Sequence, residues 1–276
     1  VMIKLIAVDM DGTLLQSNNQ IGEETKEVLK KADQFGIKIV PASGRPLPGV
    51  VPYMEDLGII GQDDYAVLYN GGLVQSVSGK VLISHQFDYA EFKKMLSIQE
   101  QNPGINLHFM RKHDYVTLDR LISTQMAKMS AVSATPFVVK DFAEIPRDFT
   151  FIKAEFTGEE DKLDRLGQQF TPDFKQNYNV ARSDPKIWEI NKKDASKGNA
   201  VHELAQKLNI NDNEVMIFGD QGNDMSMFEV ADFNKVAMGN AIDAIKDKAD
   251  FVTKSNDEAG IAYAINKLIF EKAEKR

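Results

Sequence analysis

The sequence predicts an α/β protein, a doubly wound parallel-sheet core interrupted by an inserted α+β domain. Two observations carry this. At both ends of the chain, short apolar runs that stop in acidic or glycine-containing turns alternate with helical periodicity, the grammar of a parallel sheet. Between about residues 83 and 189 that grammar gives way to alternating strands, frequent aromatics, prolines and polar turns. The expected division is therefore a core of residues 1–82 and 190–276 around an insert of residues 83–189.

Residues 3–9, IKLIAVD, form the first buried strand and end in the turn Met10-Asp11-Gly12-Thr13. Val28, Leu29, Ala32 and Phe35 recur at helical spacing, and Gly36 stops that helix. Residues 37–42, IKIVPA, and 65–69, YAVLY, are two further strands. They close in Ser43-Gly44-Arg45-Pro46 and Asn70-Gly71-Gly72. In the second half, Ala200, Val201, Leu204, Ala205 and Leu208 mark one face of a helix, and residues 214–218, EVMIF, form a strand ending in Gly219-Asp220. Short strands are expected around Lys235–Met238 and Phe251–Thr253, and a last helix over roughly 258–271. The pair Asn234-Lys235 is polar for the start of a strand. The run Glu271-Lys272-Ala273-Glu274-Lys275-Arg276 has the character of a solvated helix end.

The 276 residues suffice for a sizeable core. A formal net charge of -8 repels nucleic-acid phosphates and anionic membranes, so neither is an expected partner. A phosphorylated substrate would then need a local remedy, a metal ion or a few placed cations. The absence of cysteine excludes disulfides, zinc–thiolate and iron–sulfur sites, and phosphatase chemistry with a cysteine nucleophile. The apolar start is broken by Asp9 and Asp11, unlike a secretory signal, and no apolar run reaches the length of a membrane span. A cytoplasmic protein is expected, as a monomer or homodimer.

In an open parallel sheet, ligands bind beyond the carboxyl ends of the strands. Four polar clusters fall at strand ends or the turns that follow: Asp9-Met10-Asp11-Gly12-Thr13, Ser43-Gly44-Arg45, Lys197-Gly198 and Gly219-Asp220-Gln221-Gly222-Asn223-Asp224. Each alone has an ordinary explanation as a turn, a helix cap or a solvated lysine. Together they define a chemistry. Carboxylates at Asp9, Asp11, Asp220 and Asp224, without His or Cys, suit a hard cation, and magnesium fits best. Ser43 can hydrogen-bond a phosphate oxygen, and Lys197 supplies a point charge to it. Gly12 lets backbone N–H groups face the phosphate. A carboxylate not fully committed to metal can attack phosphorus. His108 and His113 share neither a helical nor a strand face, so a second metal site is not expected there. Trp188 is at least as well explained by packing as by a pocket role.

Asp9-Met10-Asp11-Gly12-Thr13-Leu14-Leu15 resembles the first motif of the haloacid dehalogenase (HAD) superfamily. Ser43-Gly44-Arg45-Pro46 resembles its second motif, Lys197 its third, and Gly219-Asp220-Gln221-Gly222-Asn223-Asp224 its fourth. Lys197-Gly198, Asn70-Gly71-Gly72 and Val236-Ala237-Met238-Gly239-Asn240-Ala241 are similar to the Cof-type branch, and within it to YidA-like sugar phosphatases. The resemblance implies a Rossmann-like core under a cap domain, and a Mg2+-dependent phosphatase of small phosphorylated metabolites, sugar phosphates first among them. It implies Asp9 as nucleophile and metal ligand, and Asp11 as general acid and base with its carbonyl on the metal. Asp220 completes the protein ligands of the metal, with Asp224 a ligand through water or a support behind the ligands. Gly12, Thr13, Ser43, Gly44, Lys197 and Asn223 bind the phosphoryl group. Gly222 departs from the family, where Glu is common. A phosphomutase, or a phosphate-binding regulator without catalysis, would share these motifs.

Overall fold

Runs of four and five apolar residues make the centre of an eight-stranded sheet in which neighbouring strands leave almost no residue exposed. The computed structural model describes residues 2–271, and the charged C-terminal run lies from residue 272 onward outside the described residues. The chain divides into two compact units. One holds the residues up to Gly44, Val50–Ile83 and those from Lys197 onward; the other holds Arg45–Gly49 and Ser84–Ser196.

In chain order, the first unit begins with β1 (Leu5–Asp9), α1 (Glu23–Gln34), β2 (Lys38–Ala42), α2 (Val51–Leu57), β3 (Tyr65–Leu68), β4 (Leu73–Ser76) and β5 (Val81–Ser84). The second unit carries α3 (Tyr89–Glu100), β6 (Asn106–Met110), β7 (Tyr115–Thr117), α4 (Thr124–Ser133), β8 (Phe137–Val139), β9 (Lys153–Thr157), α5 (Glu160–Gly167), α6 (Pro172–Asn177), β10 (Tyr178–Asp184) and β11 (Ile187–Lys192). The first unit resumes with α7 (Lys197–Lys207), β12 (Val215–Gly219), α8 (Met225–Glu229), β13 (Asn234–Ala237), α9 (Asp243–Lys246), β14 (Phe251–Val252) and α10 (Gly260–Ile265).

The first unit's sheet runs β14-β13-β12-β1-β2-β3-β4-β5. Pairing is parallel from β14 to β3, with Val8 opposite Phe218 on one side of β1 and Asp9 opposite Ala42 on the other; β3 and β4 are antiparallel. Burial on both faces is what lets β1, β2, β3 and β12 be continuously apolar. The expected strands are found within a residue or two. The polar pair Asn234-Lys235 does start β13, because Asn234 caps the neighbouring strand by donating to the carbonyls of Asn213 and Val215.

One expectation needs correction. Phe35 is not on the buried face of α1: it follows the last helical residue, is 69% exposed, and sits 5.6 Å from the Phe270 ring. The last helix, expected over roughly 258–271, begins at Gly260, after a 3₁₀ turn at Asn256–Glu258 and Ala259 in the left-handed region (φ 54°); α10 continues without a break into a π-helical stretch at Asn266–Phe270.

The second unit's sheet runs β10-β11-β9-β6-β7-β8, antiparallel except for β7 with β8. One set of alternate residues, among them Leu107, Phe109, Ala154, Phe156 and Ile190, joins Phe92, Met95, Leu163 and Leu166 of α3 and α5 in an apolar core. The alternation does not expose the other set. Lys153, Glu155 and Thr157 are also buried, and Lys153 pairs with Glu155 at 2.6 Å and Glu189 at 3.2 Å. His108 lies in β6 with its Nε2 3.2 Å from Glu155, whereas His113 is exposed in the β6–β7 turn. Trp188 packs: its indole N–H donates to the Leu163 carbonyl at 2.9 Å and its ring meets Phe170 edge-on.

Candidate active site

β1 is the central strand of the parallel set, and its last residue, Asp9, is buried. On one side β2 delivers Ser43, whose N–H donates to the Val67 carbonyl and whose carbonyl accepts from Asn70. On the other side β12 delivers Asp220. Strand ends of equal register thus bring three motifs to one edge of the sheet.

The fourth arrives with α7. Its first residue, Lys197, is buried. The helix can come so close because residue 198 is glycine: a Cβ there would stand 2.0 Å from the Ser226 carbonyl oxygen. The Gly198 N–H donates to the Ser226 hydroxyl at 3.0 Å, which ties α7 to α8. Lys197 Nζ donates to Asp9 Oδ1 and, at 2.8 Å, to Asp224 Oδ1. The other oxygen of Asp224 accepts from the N–H groups of Asp220 and Gln221 at 2.9 and 3.1 Å. Asp224 therefore orients both the lysine and the turn that carries Asp220.

The turn after β1 is equally determined. Gly12 has φ +82°, and a Cβ on it would lie 2.6 Å from Asp220 Oδ2. That position requires glycine both for its backbone and for space. Thr13 donates its hydroxyl to Asp220 Oδ1 at 2.7 Å. Asp11 is exposed, and its backbone forms an isolated β-bridge with Leu15. Asn223 is exposed in the turn Gly222–Asp224, and Gly44 lies beside Asn70, whose Oδ1 would be 3.1 Å from a Cβ at 44.

The electrostatics are those of a site short of positive charge. Burial pushes the Asp9 carboxyl well above its ordinary value, and Asp224 adds to this; Lys197 opposes it without winning. Burial also raises the Asp220 carboxyl, against the Thr13 hydrogen bond. Burial works against the Lys197 charge, but Asp224 and Asp9 outweigh it and hold the ammonium above its usual value. One oxygen from each of Asp9, Asp220 and Asp224 lies within 4.8 Å of the others. Three buried carboxylates sharing one ammonium, with no sulfur or imidazole donor among them, fit a hard divalent cation such as magnesium.

The structure thus gathers Asp9, Gly12, Thr13, Lys197, Asp220 and Asp224 in mutual contact. It sets Ser43 and Gly44 on the adjoining strand end, and leaves Asp11 and Asn223 at exposed positions. Ser226 and Asn240 were not foreseen as parts of the site. The hydrogen bond from Asn240 Nδ2 to the Gly12 carbonyl joins residues 228 apart in sequence, and only its family motif marked it.

A family model of haloacid dehalogenase-like hydrolases matches residues 6–265, and the chain belongs to that family. YxeH of Bacillus subtilis, which bears a provisional phosphatase name, is 38% identical over 98% of this chain and 100% of its own. The 5-amino-6-(5-phospho-D-ribitylamino)uracil phosphatase YwtE of the same organism is 32% identical over 97% and 98%. A haloacid dehalogenase-like hydrolase from Bacteroides thetaiotaomicron superposes with a TM-score of 0.84 at 28% identity, over 97% of this chain and 100% of that one. The HAD subclass IIB sugar phosphatase BT4131 does so with 0.77 at 25%, over 96% and 98%. No helix among the described residues is long and apolar enough to cross a membrane.

Proposed function

We propose that this phosphatase hydrolyses small phosphomonoesters, sugar or polyol phosphates above all, in a magnesium-dependent reaction through an aspartyl-phosphate on Asp9. The observation that carries the reading is the buried lysine shared by Asp9 and Asp224 at the carboxyl edge of the parallel sheet, with Asp220 as third carboxylate. The substrate class draws support from two relatives: one is named for a phosphorylated ribityl chain, the other for a sugar, and both are polyhydroxylated esters.

A magnesium ion held by Asp9, Asp220, Asp224 and the Asp11 carbonyl would offset the charge of the phosphoryl group and orient it. Lys197 aims Asp9 and favours its ionised form, and a bound cation would add the positive charge that Lys197 alone does not supply. Ser43 and Lys197, with N–H groups around Gly12 and Thr13 and the side chain of Asn223, take the phosphoryl oxygens; Gly44 leaves room for them. In the first step an Asp9 oxygen bonds to phosphorus, the bond to the substrate oxygen breaks, and Asp11 gives that oxygen its proton. In the second, Asp11 takes a proton from water, the water oxygen bonds to phosphorus, and the aspartyl–phosphorus bond breaks to release phosphate. The choice of leaving group is assigned to the second unit.

The test is a screen of phosphate release from phosphorylated metabolites, with chelator and with magnesium restored, joined to two variants. Asp9→Asn should abolish turnover. Asp11→Asn should accumulate a phosphorylated enzyme on an activated ester, mapped to Asp9 by mass spectrometry after acid quench. Full activity in exhaustively chelated protein, or phosphate mapped to Ser43 or Thr13 instead, would overturn the reading.

A further inference from the structure

We propose that Asn70 is a positioning residue of this phosphatase: its carboxamide packs against Gly44 and helps to fix the Ser43-Gly44 peptide that receives the phosphoryl group. The proposal rests on the reading just given. The end of β3 departs from regular parallel pairing. The Ser43 N–H donates to the Val67 carbonyl at 2.8 Å, so a regular ladder would bring the N–H of Tyr69, two residues on, to the Ser43 carbonyl. The donor is instead Asn70, at 2.9 Å. One extra residue has been taken up, as in a β-bulge. It is taken up in a strained conformation, for Tyr69, Asn70 and Gly71 follow one another with φ 53°, 56° and 97°. Glycine enters the left-handed region freely and asparagine tolerates it, but a tyrosine there is an outlier, and Tyr69 is buried. Such strain persists only where the surroundings over-determine it, and it gathers at functional sites.

What the extra residue achieves is the placing of the side chain at 70. A Cβ built on Gly44 would stand 3.1 Å from Asn70 Oδ1 and 3.4 Å from its Nδ2, so the carboxamide lies against the Gly44 Cα. Backbone and side chain of Asn70 therefore meet the two ends of one peptide. The N–H holds the Ser43 carbonyl, and the carboxamide covers Gly44. That carbonyl and the Gly44 N–H are opposite edges of one rigid plane. Glycine has more backbone freedom than any other residue, and a neighbour on its Cα restricts it. A mere demand for left-handed backbone at 70 would be met at least as well by glycine; the carboxamide is what glycine lacks. The phosphoryl group is common to every substrate ester, so losing the carboxamide should weaken all of them in parallel, and inorganic phosphate with them.

The experiment compares the unsubstituted protein with Asn70→Gly and Asn70→Asp. It reads thermal unfolding, competitive inhibition by inorganic phosphate, and KM for two esters, p-nitrophenyl phosphate and the sugar phosphate hydrolysed best in the screen. Asn70→Gly keeps the N–H to Ser43 and relaxes the left-handed backbone, so its melting temperature should stay within about 4 °C of the parent's or exceed it. Its Ki for inorganic phosphate and its KM on both esters should rise together, about five- to tenfold. Asn70→Asp keeps the shape and the tolerance for left-handed backbone but sets a carboxylate beside the phosphoryl group, so it should raise Ki at least as far. Parent-like Ki and KM in either variant would overturn the proposal, because position 70 would then require only its backbone. So would a melting temperature of Asn70→Gly more than about 4 °C below the parent's, which would assign the carboxamide to the fold. A rise in KM on one ester alone would overturn it as well, by placing Asn70 on the leaving group. If the unsubstituted protein releases phosphate from neither ester, the underlying reading falls and this one with it; parent-like constants in an active Asn70→Gly protein overturn this one alone.

Discussion

Gly198 and Gly222 stand 24 positions apart in the same unit and make opposite demands on a side chain. A Cβ at 198 would run into the backbone of Ser226 at 2.0 Å, whereas nothing lies within 4 Å of one at 222, whose φ is not in the left-handed region. Gly198→Ala must push α7 away from α8 and carry Lys197 off Asp9, so it should destabilise by at least about 2 kcal/mol and remove most activity. Gly222→Ala should leave the fold intact and stabilise it by about 0.4–1 kcal/mol through the unfolded chain. Thermal unfolding of the two variants checks both signs; a Gly198→Ala protein as stable as the parent would refute the close-approach argument. At this scale the sequence disclosed what has a chemical signature. Asp9, Lys197 and Asp220 were legible because carboxylates and a lysine at strand ends imply a task. Ser226 and Asn240 were not, because a serine or asparagine in a turn has too many ordinary uses, and their partners are distant along the chain.

Single elements were legible where burial is uniform. β1, β2, β3 and β12 announced themselves because a strand covered on both faces must be apolar throughout. β4 and β5 were not distinguished, since four-residue strands such as LVQS and VLIS at a sheet edge carry too little pattern to separate from a loop. β9 shows a different limit. Alternation in KAEFT suggests one wet face, yet Lys153 and Glu155 are buried as an ion pair with Glu189 beside them. Burial alone would raise the Glu155 carboxyl, but Lys153, with help from His108, holds it down at about 2, below its ordinary 4.5. The sign follows: a carboxyl depressed in the folded state lends stability that is complete above about pH 4.5 and lost as pH falls toward 2. Glu155→Gln should therefore be less stable than the parent at pH 7, and the gap should narrow between pH 4.5 and 2. Urea unfolding of both proteins across that range measures it; a gap independent of pH would mean that the pair contributes no charge-dependent stability.

For the molecule as a whole, the division of labour is the testable matter. Every residue proposed for the chemistry belongs to the unit built on the parallel sheet, and the residues of the other unit, Ser84–Ser196, contribute none of them. Exchanging residues 84–196 for the matching stretch of a relative should change which phosphorylated metabolite is preferred, while turnover of a small aryl ester survives within about tenfold. Preference that stays with the parallel-sheet unit would show that selection resides there. The two-unit organisation was visible in the sequence because a change of periodicity survives over a hundred residues. The short stretch Arg45–Gly49, which belongs with the second unit, was not visible, because five residues set no period.

The position of β1 in its sheet also has a consequence in time. Its two neighbours are β2, which begins at Lys38, and β12, which begins at Val215. A ribosome adding about 5–20 residues per second completes the first pairing within seconds and reaches the second roughly 10–40 s later. Throughout that interval the nascent chain presents LIAVD with one row of backbone donors and acceptors bare, a template for any other extended chain. Release of a chain truncated at residue 210 would make the exposure permanent. Such a fragment should associate at micromolar concentration by light scattering, and a monomeric one would show that something other than β12 shields that edge.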